Sequence, residues 1–389
     1  MLKRLTKILL VLTVFSIPFY FWRFNIGPVP TTVLEILIYL TFITALLSGT
    51  LKGLVNNNKA AFYFGFIFVL AALFAALNDP NRVNALGLFK AYFFDGFLLM
   101  CVIVQSVKQD ETIKKTLVLS AVLTGLAALI IFLSGIQTSD GRLLDLERLS
   151  PNYLAMFLSP VLVLSLALGF TAWPKNWFYL IGSGLMLVVL FLTGSRGSIL
   201  AVGGGVIVLL ASALIARGRG KIARPLLVFA LLALLLGGYA VYKPDWTSHE
   251  RKATSSNIRY HIWTTSLEII GKNPAKGVGL SNYQNYFSTL TKDRVNFPEF
   301  ISPEALTAHN LYLQFFVVGG FALFATFILW ILMSRFWTVQ DLSYVAALTA
   351  LLVYALVDTP FFRNDLSIVF WLILAILYAS SKKTKKVQA

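Results

Sequence analysis

The chain has little of what soluble enzymes build with. Charged side chains make up 13% of its 389 residues, acidic residues number 17 against 33 basic ones, and there are three histidines and one cysteine. A single cysteine, Cys101, excludes an intrachain disulfide and any cysteine-based metal cluster, and its place in an apolar run reads as packing. His249, His261 and His309 are not spaced as metal ligands, and no HExxH, DxD or carboxylate cluster lies between the apolar runs, so no metal is expected. There is no phosphate-binding glycine loop, dinucleotide fingerprint or nucleophile elbow, which argues against an energy-coupled pump or a serine hydrolase. No cofactor is expected either. Internal repeats and low-complexity segments are absent.

Apolar residues, by contrast, make up 58% of the chain, and the mean hydropathy is +0.77. That composition excludes an ordinary water-soluble domain and indicates an all-α integral membrane protein. Twelve runs are long enough to span: Ile8–Trp22, Thr32–Ser48, Ala60–Leu77, Leu86–Gln105, Thr116–Leu133, Asn152–Ala172, Trp177–Thr193, Ser198–Ala216, Pro225–Tyr242, Asn310–Met333, Leu342–Val357 and Leu366–Ser380. The first resembles a signal peptide in its basic start, but no small-residue cleavage site precedes Trp22, so it is expected to stay as a span. Three regions follow: helices one to nine in residues 1–242, a long polar interval at 243–308 carrying short amphipathic helices, and helices ten to twelve with a basic tail in 309–389. An interval of that length exceeds what a turn requires and is expected to be functional.

The formal charge of +16 is spread in short clusters between apolar runs, which fits membrane orientation and membrane lipids as partners, not nucleic acid. Twelve spans put both termini on one side. Lysine and arginine strongly favour the loops of that side (Lys3, Arg4, Lys7, Arg217, Arg219 and the tail lysines among them), so the termini are expected to be cytoplasmic and the long loop to face outward.

Against that trend, the outward side collects Arg142, Arg148, Arg196, Arg259, His309 and Arg363. For Arg142, Arg148 and Arg363, a loop charge paired with Asp140, Asp145, Glu147 or Asp365 is an open alternative to a ligand role. Arg196 sits in Thr193-Gly194-Ser195-Arg196-Gly197-Ser198, read as a tight turn at the membrane edge, where a guanidinium can offer two parallel hydrogen bonds to a lipid-linked phosphate. A structural turn is the alternative. Ser256–Ile270 reads as a helix with Arg259, Trp263, Leu267 and Ile270 on one face, ended by Asn273-Pro274, with Gly277 and Gly279 forming a flexible turn. Membrane anchoring is the competing role for that helix. His309 and Asn310 open a span, where His309 could deprotonate an acceptor hydroxyl or serve only at the helix cap. Lys90 and Asp95 fall inside the fourth span and Glu35 near the end of the second; Lys90 and Asp95, five apart, are each expected to have a partner elsewhere in the bundle. Those intramembrane charges keep a transporter or flippase open as a distant alternative, although no internal duplication supports it.

Thr-Gly-Ser-Arg-Gly around Arg196, the run Arg259-x-x-x-Trp263 followed by Asn273-Pro274-x-x-Gly277-x-Gly279, and His309-Asn310-x-x-Leu313-Gln314 leading to Gly319-Gly320 resemble the O-antigen ligase and O-antigen polymerase superfamily. The resemblance covers roughly residues 190–330, in matching order; where many relatives carry an acidic residue before the glycines, this chain has Val317-Val318. The resemblance implies a GT-C-like, metal-independent, inverting glycosyltransferase of the bacterial inner membrane. Such an enzyme moves a glycan from an undecaprenyl-pyrophosphate carrier to lipid A-core or another acceptor, or, as a polymerase, to a second carrier-linked repeat. On that reading His309, Arg259 and Arg196 are the catalytic candidates, and Arg142, Arg148, Lys90, Trp263 and Asn310 are candidates for binding pyrophosphate or glycan.

Overall fold

The computed structural model describes residues 1–27, 29–106, 111–171, 175–215, 249–294, 306–334 and 342–380. The helices are α1 (Leu2–Phe15), α2 (Val33–Leu47), α3 (Lys59–Leu77), α4 (Arg82–Ser106), α5 (Glu111–Leu133), α6 (Pro151–Thr171), α7 (Trp177–Thr193), α8 (Arg196–Ile215), α9 (His249–Lys272), α10 (Tyr283–Thr291), α11 (Leu311–Met333), α12 (Leu342–Tyr354) and α13 (Asn364–Ser380). Among the described residues, six helices are long and apolar enough to cross a membrane, and α2, α7, α12 and α13 are shorter apolar helices. Ten of the twelve expected runs coincide with apolar helices; the first, Ile8–Trp22, overlaps α1 only as far as Phe15, and the run Pro225–Tyr242 lies outside the described residues. The protein is an all-α membrane bundle.

Among the described residues, strand is confined to one small hairpin that hydropathy alone does not reveal. Strands β1 (Arg23–Ile26) and β2 (Val29–Thr32) pair antiparallel, with Phe24 opposite Thr31. Trp22, Phe24 and Ile26 alternate with Arg23 and Asn25 before Gly27, a period of two closed by a turn residue. Thr32 then caps α2 by accepting from the Glu35 amide.

Helix α4 contains a π turn at Lys90–Phe94, so the Asp95 amide bonds back to the Lys90 carbonyl. Lys90 finds the distant partner its position demands: Nζ lies 2.8 Å from Glu35 Oε2 and 3.1 Å from the Pro30 carbonyl, which ties α4 to α2 and the hairpin. Asp95 is buried, and its neighbour across the bundle is Tyr39 of α2, whose hydroxyl stands by the carboxyl.

The core is aromatic. Phe68 of α3 stacks on Trp330 of α11 at 5.0 Å, Trp330 packs on Trp371 of α13 at 4.1 Å, and Phe93, Phe315, Phe327 and Phe361 close around them. Helix α8 approaches its neighbours closely because it has no side chains where they meet. A Cβ on Gly205 would lie 2.7 Å from Val163 of α6, and one on Gly197 would lie 2.8 Å from the Tyr354 ring of α12.

Helix α11 is broken at Gly320, where φ is 63° and ψ is −163°, a conformation that only glycine holds without strain. The chain leaving α9 crosses this break. Val278 and Gly279 donate to the Val317 and Val318 carbonyls at 2.8 and 3.1 Å, and Phe321 donates to the Pro274 carbonyl at 2.9 Å. The expectation of a flexible glycine turn is therefore corrected. Gly277 and Gly279 are required for close approach, since a Cβ on Gly279 would sit 2.6 Å from Asp79 Oδ2, and the turn is locked. Asp79, buried at the end of α3, accepts from the Ser281 amide and hydroxyl and completes the clamp.

Candidate active site

The last turn of α12 and the chain after it are where the candidate residues meet. The Tyr354 hydroxyl shares a 2.7 Å hydrogen bond with Ser195, the residue before Arg196. The Leu311 amide donates to the Ala355 carbonyl at 2.8 Å, and Asn310 Nδ2 donates to the Leu356 carbonyl at 3.0 Å. One turn of helix and four following residues thus hold the start of α8 and the start of α11 side by side.

Arg196 is the first residue of α8, not a turn residue; the turn itself is made by Gly194 in the left-handed region (φ 61°). Its guanidinium therefore accompanies a helix N-terminus, where unpaired amides and the dipole also favour an anion. Helix α11 presents a second N-terminus nearby, with Asn310 Oδ1 accepting from the Tyr312 and Leu313 amides at 3.0 Å each. Both ends of the Asn310 amide are engaged with the fold, which places it as the residue that fixes where His309 stands.

His309 precedes that cap with φ of 44°. Among the described residues, His309 and Arg148 are the positive-φ residues other than glycine, and both are functional candidates from the sequence. Such conformations are costly and concentrate where a side chain must be held in a particular place. His309 Nδ1 lies 3.2 Å from Asp358 Oδ1, with the imidazole about one third exposed and the carboxylate buried. Nδ1–H donating to Asp358 leaves Nε2 as the exposed acceptor. Asp358 is anchored in turn by accepting from the Thr359 amide at 2.9 Å.

Helix α9 forms the adjoining wall. Trp263 Nε1 donates to the His309 carbonyl at 3.4 Å, and Arg259, one turn earlier, lies within electrostatic reach of Tyr354. The buried stripe of α9 is Ile262, Thr265, Ser266 and Ile269, with Ser266 bonded to Tyr283 of α10. Of the residues expected to share a face, Trp263 and Ile270 pack partly against the core, whereas Leu267 is 56% exposed. Near the end of α9, Glu268 is held by Lys272 and Arg294, and these cations keep its carboxyl below the usual range.

The loop between α5 and α6 reaches the same place. The Leu143 amide donates to the Leu192 carbonyl at 3.0 Å, and the Arg142 chain passes Gly194 so closely that a Cβ there would lie 2.9 Å from Arg142 Cδ. Arg142 is paired with Asp140 at 2.8 Å. Burial pushes the Asp140 carboxyl up, but the Thr138 hydroxyl and Arg142 outweigh it and hold it below the ordinary range. Arg363 is also paired, at 2.9 Å to Asp145 and 2.8 Å to Asp365. No carboxylate pairs with Arg148, Arg196 or Arg259 among the described residues, which leaves three cations with charge to offer.

The structure therefore gathers Arg196, Arg259, Trp263, His309, Asn310 and Arg142 about the end of α12 and sets Lys90 against Glu35 beneath the hairpin. The sequence reading missed Asp358, Tyr354 and Ser195. A signal for Asp358 existed, a carboxylate next to Thr359-Pro360 at the start of the short connection between two apolar runs, which also carries Asp365. No three His, Cys, Asp or Glu side chains that could hold a metal come together among the described residues.

Residues 181–328 match the family described as O-antigen ligase. The chain is 26% identical over 272 residues to a protein of Salmonella typhimurium named O-antigen ligase, a match covering 67% of this chain and 66% of that protein, just under two thirds of its length.

Proposed function

We propose that this chain, which matches the O-antigen ligase family over residues 181–328 and is similar to a protein named O-antigen ligase, is a membrane glycosyltransferase that moves a glycan from an undecaprenyl-pyrophosphate carrier to a hydroxyl of lipid A-core or a comparable acceptor. The observation that carries this reading is the meeting of unpaired Arg196 and Arg259 with a His309–Asp358 pair at one end of the bundle.

In the reaction, the acceptor oxygen attacks the anomeric carbon of the carrier-linked sugar and the bond from that carbon to the pyrophosphate oxygen breaks. The acceptor proton passes to His309 Nε2, while Asp358 holds the tautomer and stabilises the imidazolium that forms. The leaving pyrophosphate gains negative charge, which Arg196, Arg259 and the N-terminus of α8 stabilise. With that charge met by arginines, the step is written without a metal. A single displacement inverts the anomeric configuration.

The site is proposed to face outward from the bacterial inner membrane, with both termini cytoplasmic and residues 243–308 forming the outer loop that admits the substrates. A ligase is favoured over a polymerase because the curated relative is named a ligase. The test is a reconstituted assay with lipid-linked glycan and lipid acceptor. Transfer is expected from the native protein and lost in Arg259→Ala and His309→Ala that remain folded. Full transfer in both variants overturns the proposal, and chain growth with donor alone identifies a polymerase.

A further inference from the structure

Arg363 is a cation of the candidate end that cannot itself hold a phosphate. Its guanidinium lies between Asp145 (2.9 Å) and Asp365 (2.8 and 3.0 Å), and its faces are covered by the rings of Tyr20 at 4.7 Å and Tyr153 at 4.4 Å. Two buried carboxylates against one guanidinium leave the cluster net negative. Its interest lies in what Asp145 does with its other oxygen. Asp145 Oδ1 accepts from the Leu149 amide at 2.7 Å and the Ser150 amide at 3.1 Å, and the Asp145 carbonyl accepts from the Arg148 amide at 2.9 Å. The left-handed conformation of Arg148, with φ of 60°, turns the chain so that the next two amides point back at that one oxygen.

Arg363 also stands five residues after Asp358. Between them Phe361 is fully buried against Phe68, Phe93 and Phe315, and short backbone bonds (Phe361 to the Thr359 carbonyl at 2.7 Å, Arg363 to the Phe361 carbonyl at 2.9 Å) tighten the segment. One rigid connection thus touches the histidine at one end and the Arg148 turn at the other.

We propose that Arg363 is a positioning residue: through Asp145 it fixes the turn that presents Arg148, and so sets one cation for the lipid pyrophosphate at a defined place relative to the His309–Asp358 pair. This rests on the glycosyl-transfer reading above.

The test is a double-mutant cycle of Arg363→Lys and Arg148→Ala in the full-length protein. It reads binding of farnesyl pyrophosphate, a short isoprenyl pyrophosphate, alongside donor KM and kcat. A lysine cannot span both carboxylates, so Arg363→Lys is expected to weaken probe binding and raise donor KM about tenfold with a smaller change in kcat, and to do neither in the Arg148→Ala background. If Arg363→Lys does not fold, Asp145→Asn keeps an oxygen for the two amides but loses the ion pair, and is expected to give the same pattern. Equal effects in both backgrounds, or no effect, overturn the proposal. Probe binding with this pattern but no transfer from the native protein leaves the positioning role standing and overturns the transfer reading. No probe binding overturns the positioning role, and the transfer assay then decides the transfer reading by itself.

Discussion

His309 Nδ1 and Asp358 Oδ1 lie 3.2 Å apart, joining the start of α11 to the connection that follows α12. A buried carboxylate at that nitrogen fixes which ring nitrogen is free to take a proton.

Asp358→Asn should therefore keep the fold and cost activity. The amide can present its N–H to Nδ1 and reverse the tautomer, so kcat is expected to fall by roughly two to four orders of magnitude. Steady-state transfer rates, with thermal unfolding in detergent as the control, check it. Near-native kcat would show that Asp358 only anchors the backbone.

Arg196→Lys and Arg259→Lys keep the charge and lose the planar pair of donors. If both meet a pyrophosphate, each lysine variant should lose about tenfold or more in kcat/KM for the donor. Kinetics at varied donor concentration decide it.

Gly320→Ala places a Cβ against the Ala275 carbonyl at a backbone conformation reserved for glycine. A loss of about 1–3 kcal/mol is expected, seen as a lower unfolding midpoint. Asp79→Ala, which strips the Ser281 amide and hydroxyl of their acceptor, should cost about 1–3 kcal/mol by a separate route.

The Glu268 carboxyl, lowered by Lys272 and Arg294, gives a pH dependence of known sign. Its contribution is fully present above the ordinary carboxylate pKa of about 4.3 and disappears as pH falls through the depressed folded-state value. Hydrogen exchange at residues 288–294 should speed up only in that acid window, and Glu268→Gln should flatten the change.

Much of the bundle was legible in the sequence because spanning helices must be apolar for their whole length, so boundaries such as Trp177–Thr193 follow from hydropathy. The hairpin was not, since eight residues of strand carry too few apolar positions to stand out beside spans. Arg196, Arg259 and His309 were legible as chemistry out of place among apolar runs. Asp358 was not, because its meaning depends on contact with a residue 49 positions away. The glycines at 277 and 279 were visible, yet their role was misread, and Gly320 was visible only as part of a motif. Glycine signals both freedom and close approach, and only the neighbouring carbonyls of Val317 and Val318 show which applies here.

The clamp between Asp79 and Ser281 bears on how this protein can be engineered. Residues 181–328, which carry the family match, do not form a cassette. Their turn is fastened to the end of α3, their α11 lies against α3, and their α8 is wedged between α6 and α12. Chimeras that exchange only the matched stretch between relatives should misassemble unless α3 and the segment from α12 to Arg363 travel with it.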